Sequence, residues 1–231
     1  LILLPLTNYS QGCADAGSDE GVQVFGFIQP QWDMNIIKND ELFDDNSFQF
    51  NRARVGFLGN IPYDFSYYFV LETSPSKNKY PYLLDAFVTY SRFPWAKVSV
   101  GQFKSPFSLE LNTPCSGLYT INRSKVVSEL ASPDRDLGVM ILGGADTSFV
   151  KYAIGFMNGT GKGNWDDDTQ AALFDDNKGK DIVGRLVFKP LALINSDFYD
   201  LISIGGSYKY GTSPAMDETS TEEDTKTIFG G

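Results

Sequence analysis

The segment FQFNRARVGFLG, Phe48 to Gly59, sets two arginines inside an otherwise apolar, strand-like run. Side chains of an extended strand alternate between faces. Arg52 and Arg54 therefore share one face, while Ala53, Val55 and Phe57 share the other. Two solvents accept such a strand. A water-soluble sandwich hides the apolar face against a second sheet. A membrane barrel turns that face to acyl chains and keeps the polar groups in an aqueous lumen.

The same alternation recurs. Phe65, Tyr67, Phe69 and Leu71 oppose Asp64, Ser66, Tyr68 and Glu72; Leu84, Ala86, Val88 and Tyr90 oppose Asp85, Phe87 and Thr89. Further on, Val150, Tyr152, Ile154 and Phe156 oppose Lys151, Ala153 and Gly155, and Ile182, Leu186 and Phe188 oppose Asp181, Arg185 and Lys189. Ile202, Ile204, Tyr208 and Tyr210 oppose Ser203, Gly205, Ser207 and Lys209. Turn-forming residues bound ten expected strands at about 22–32, 46–58, 63–72, 82–92, 95–103, 136–143, 147–158, 181–190, 201–210 and from 226. The first strand and 136–143 do not sort by face. The one helical stretch expected is Asn122 to Ala131, inside a connection. An aromatic share of 14%, with 18 Phe and 12 Tyr, also favours strands.

Long and short connections alternate along the chain. Polar stretches such as DMNIIKNDELFDD, the run from Lys104 to Arg135 and GTGKGNWDDDTQAALFDDNKGK take turns with tight turns at Asn60-Ile61-Pro62, at Phe93-Pro94 and at GGADT. A transmembrane antiparallel up-and-down β-barrel has this asymmetry between its two rims. The expected fold class is therefore all-β.

Charge is sorted as well. The formal net charge is −10, which argues against a nucleic-acid partner. Yet the polar strand faces carry seven cations (Arg52, Arg54, Lys97, Lys151, Arg185, Lys189 and Lys209) against four acids (Asp64, Glu72, Asp85 and Asp181). The surplus acids fall in connections, as at Asp166 to Asp168 and Glu222 to Asp224. A low-dielectric wall lined by one sign of charge enriches counter-ions, here anions.

Catalysis has little support: there is no histidine, nucleophile motif, phosphate-cradling glycine loop or cysteine cluster. The chain reads as a non-enzyme with no cofactor and no metal site. The acidic loop is better explained by solvation than by cation binding. Residues 1–16, LILLPLTNYSQGCADA, read as the end of an export signal with an A-x-A site at Ala14-Asp15-Ala16. That leaves Cys13 on the removed part, Cys115 alone, and 17–231 as the barrel domain.

The runs FQFNRARVGFLG, DFSYYFVLE, LLDAFVTYSRFPWAKVSVGQFKSPFSLE and SPDRDLGVMILGG resemble the phosphate-selective porin O and P family. The resemblance implies a 16-stranded barrel of the bacterial outer membrane, usually trimeric, passing small anions such as phosphate. It also implies a pore narrowed by an infolded loop, for which 104–135 is the candidate. Lys104, Arg123, Lys125 and Arg135 on that connection, with Arg52, Arg54, Lys97, Lys151 and Arg185 on the wall, form the expected anion pathway. About ten strands are visible, so the chain is expected to be the N-terminal part of a larger barrel. Two other readings stay open: an outer-membrane scaffold without transport, and a secreted carbohydrate-binding β-sandwich.

Overall fold

The structure, a computed structural model, describes residues 21–33, 37–38, 41–42, 47–75, 81–161, 165–166, 171–172, 179–194, 201–212 and 225–230. The expected export signal, Cys13 and the acidic run at 217–224 lie outside these residues. Ten strands form one sheet: β1 (Gln23–Asp33), β2 (Ser47–Ile61), β3 (Phe65–Glu72), β4 (Tyr82–Tyr90), β5 (Lys97–Lys104), β6 (Arg135–Gly143), β7 (Val150–Met157), β8 (Asp181–Phe188), β9 (Ile204–Thr212) and β10 (Thr225–Gly230). Each pairs antiparallel with its neighbour in the chain, giving an uninterrupted up-and-down meander. Every expected boundary falls within three residues of the observed one. Two-residue ribbons, Ile37–Lys38 with Glu41–Leu42 and Trp165–Asp166 with Ala171–Ala172, sit in the long connections of one rim.

Exposure is inverted relative to a soluble protein. On one face Val100 is 54% exposed, Ile154 54% and Ile204 64%; on the other, Ser99 is 0% exposed and Lys209 3%. The apolar face looks outward and the enclosed face carries Thr89, Ser99, Asp181, Ser207 and Lys209. Water would penalise so large an apolar surface, whereas hydrocarbon accepts it.

The two unsorted strands resolve on this frame. On β6, Leu137, Val139 and Ile141 face outward, while Met140 turns inward into an apolar cluster, so both faces look hydrophobic. On β1, Val24, Ile28 and Trp32 are exposed, and Phe25 and Phe27 are half-buried on the inner side.

One assignment is corrected. Leu84 was expected on the apolar outer face, but it is 1% exposed. The β3–β4 register slips so that Val70 pairs with Asp85 and Leu71 with Leu83. Leu84 is thus the extra residue of a bulge, and Leu83 takes the outer position. Gln102 Nε2 donates to the carbonyls of Leu83 and Leu84, both at 3.0 Å, satisfying groups that the bulge leaves out of the ladder. Beside it, Gly101 adopts φ 135°, and a Cβ there would lie 2.2 Å from the Ala86 carbonyl oxygen. A second slip, between Gln29 and Pro30, leaves Asn51 without a partner on β1, where proline cannot donate to the ladder.

Candidate functional site: a cationic cluster under the infolded connection

The connection between β5 and β6 lies against the inner face. It carries two short helices, α1 (Leu109–Asn112) and α2 (Lys125–Leu130). Ser108 and Ser124 cap them through side-chain oxygens that accept from the N–H groups of Leu111 and Val127. α2 lies within the helix expected at 122–131; α1, a single turn, has too little periodicity to be read. Apolar burial docks the connection: Phe107, Leu111 and Ala131 pack with Phe87, Phe103, Met140, Ala153, Met157 and Val183 of the wall. Polar tethers complete the docking. The Ser108 N–H donates to Ser207 Oγ (2.9 Å), Lys209 Nζ to the Ser132 carbonyl (2.8 Å), Asn51 Nδ2 to Asn122 Oδ1 (2.9 Å) and Arg52 Nη1 to the Ile121 carbonyl (2.7 Å). The connection is thus held by β2 at one side and β9 at the other. These strands are seven places apart in the sheet, a separation of roughly 34 Å along a flat sheet.

Beneath it four cations gather around Cys115. Arg54 Nη1 donates to Cys115 Sγ at 3.2 Å and Arg123 Nη2 at 3.7 Å; Arg52 and Lys104 act on the same thiol through charge. Burial by itself would push that thiol up, but the fields of Arg54, Lys104, Arg123 and Arg52 prevail and draw it down to about 7. Among the described residues only Arg54 of these four is ion-paired with a carboxylate: its Nε meets Glu72 Oε2 at 2.7 Å, and its guanidinium lies 5.6 Å from the Phe27 ring centroid. Arg52 is directed by neutral acceptors, Gln29 Oε1 and the Ile121 carbonyl. Arg123 gathers the carbonyls of Glu110, Leu111 and Thr113, which pins the connection on itself. Lys104 has no hydrogen-bond or ion-pair partner among the described residues. Among the described residues, four cations act on the thiol while one carboxylate, Glu72, is ion-paired within the group.

The other expected site residues divide. Arg135 is 2% exposed and is held by Asp85 (2.9 Å) and Asp134 (2.8 Å). Its sequence neighbour Asp136 does not pair with it and instead accepts from the N–H groups of Leu137 and Gly159. Lys151 is paired with Asp146 at the opposite rim. Lys97 starts β5 at that rim too, and Lys125 is exposed at the start of α2. Arg185 is half-buried on the inner parity of β8 and has no hydrogen-bond or ion-pair partner among the described residues. The structure brings together Arg52, Arg54, Lys104 and Arg123, and it sets Lys97, Lys125, Lys151 and Arg185 apart from them.

Sequence reasoning missed Cys115 as the centre of the cluster. It also missed the aromatic row Phe25–Tyr68–Phe87–Phe103, whose centroids step by 5.4, 5.2 and 6.1 Å across the inner face. The row crosses β2 above Gly56, where a Cβ would come within 2.4 Å of the Phe25 ring. Only pairing could reveal it, since each ring comes from a different strand.

No curated protein matches the chain. The family model for phosphate-selective porin O and P matches residues 27–196, which is 170 of the 231 residues. The match runs from β1 to just past β8 and takes in the whole connection and all four clustered cations. With its outward apolar face, enclosed polar face and infolded connection, the chain belongs to the phosphate-selective porin O and P family of outer-membrane porins.

Proposed function

We propose that the protein resides in the bacterial outer membrane and passes small anions, phosphate among them, through a passage narrowed by the 104–135 connection. Residues 17–231 would belong to the barrel, residues 1–16 to an export signal, and the working assembly would be a trimer, as the family resemblance implies. One observation carries the anion preference: Arg52, Arg54, Lys104 and Arg123 converge, and among the described residues Glu72 is the one carboxylate ion-paired with any of them. Guanidinium forks suit phosphate oxygens, and lysine adds a point charge. Arg185 extends the positive field along β8, whereas Arg135 and Lys209, each tied to carboxylates, serve to hold wall and connection together. Neutral partners on Arg52 and Arg123 are consistent with weak solute binding that still lets ions leave.

The test is a reversal potential across a planar bilayer in a salt gradient. Lys104→Gln and Arg185→Glu are the informative variants, because neither residue supports another group of the described structure. Both should move the potential toward cations, Arg185→Glu the further. An unmoved potential would remove these residues from the conduction path, and a complete lack of current would favour a scaffold.

A further inference from the structure

We propose that Cys115 is a modification site selective for anionic sulfur electrophiles, such as acidic disulfides and thiosulfonates. Three observations converge on it. The thiol is free and partly exposed. Guanidiniums from two separate elements, β2 and the connection, point at its sulfur. The enclosed Lys104 ammonium has no hydrogen-bond or ion-pair partner among the described residues, and only the more distant charges of Cys115 and Asp85 among them favour its ionised form. A partly exposed cysteine in an electropositive setting is the environment in which thiols react, and the cations that hold its thiolate also concentrate an anionic reagent.

The charged groups around it are Arg52 and Arg54 of β2, Glu72 of β3 on Arg54, Lys104 of β5 and Arg123 of the connection itself. Arg135 of β6 feels the thiol too but is neutralised by Asp85 and Asp134. Cations therefore dominate, and with its thiol near 7 much of Cys115 is thiolate at neutral pH. The chemistry needs no outside oxidant. The thiolate attacks the reagent's sulfenyl sulfur, a new S–S bond forms, and the reagent's own bond breaks as its leaving group departs with the electron pair. A thiosulfonate releases sulfinate; a disulfide releases thiolate. The adduct places a lasting negative charge among the four cations.

The experiment uses the full-length protein in detergent and two methanethiosulfonate probes, one with a sulfonate and one with a trimethylammonium group. Each labelling rate is divided by that of the same probe with free mercaptoethanol. The sulfonate probe should be favoured by about 10-fold or more at low ionic strength, a preference that fades with added salt. In a Cys13→Ser background, which leaves Cys115 as the one thiol of the sequence, Cys115→Ser should take no label under the same conditions, and Lys104→Gln should lower the preference several-fold. Equal or reversed normalised rates, or labelling of Cys115→Ser at the wild-type rate, would overturn the proposal. A bilayer arm separates this inference from the conduction reading on which its physiological sense rests. Sulfonate labelling that cuts the anion current, reversed by a thiol reductant, supports both. Labelling that leaves the current unchanged upholds the modification site and sinks the placement of the cluster in the conduction path.

Discussion

Glu72 shows how a single inward residue organises its surroundings. Its carboxylate accepts from Arg54 Nε and from the backbone N–H groups of Ala53 and Ser74, and it is 1% exposed. Glu72→Ala strands a largely enclosed guanidinium and two N–H groups, so it should cost about 3 kcal/mol. The loss is measurable as a lowered unfolding midpoint in detergent. Cys115 makes the pH forecast. Its reaction with neutral iodoacetamide should rise with pH and level off above an inflection near 7, two units below the ordinary thiol value of 9.0. The sign for stability follows from the same lowered value: ionisation supports the folded cluster fully above the unfolded thiol's range, and that support is lost as pH falls through about 7. An inflection near 9 would contradict the cluster. The parity of Arg52 and Arg54 was legible because it depends only on alternation. The role of Cys115 was not, because Arg54 lies 61 residues away and meets it only through the fold.

Strands were the legible elements, and their irregularities were not. Turn signals, together with alternation in most of them, located all ten, whereas the Leu84 bulge obeys pairing with β3 and cannot be seen within β4 alone. Gln102→Leu keeps the side chain's bulk but leaves the Leu83 and Leu84 carbonyls without their donor. A cost of about 1–3 kcal/mol is expected, again read from the unfolding midpoint. The connection between β5 and β6 was recognised by its length and by the family resemblance. Its docking through Phe107 and Leu111 was hidden, because those residues match a wall built from five other strands. Replacing residues 109–130 by a short glycine-serine linker should raise single-channel conductance several-fold and weaken anion preference. Conductance equal to wild type would mean that the connection does not set the narrowest section.

At the scale of the whole molecule, the meaning of inside and outside is the decisive property. Ile154, midway along β7 on the exposed apolar face, should tolerate arginine poorly: Ile154→Arg is expected to cost about 2–4 kcal/mol in a bilayer. Arginine at Ile204, nearer a strand end on the same face, should cost less, because the penalty falls toward the interface. Refolding yield into lipid vesicles measures both; equal and negligible effects would place that face in water. By itself the sequence determined the ten strands, their up-and-down order and the separation of apolar from polar faces, because backbone alternation and turn chemistry are local. Tertiary structure alone decided which bulges shift the register, which cations are tied to carboxylates and which remain open, and that a cysteine sits among them. Those outcomes depend on side chains that meet across strands and across the infolded connection, and no local pattern encodes such meetings.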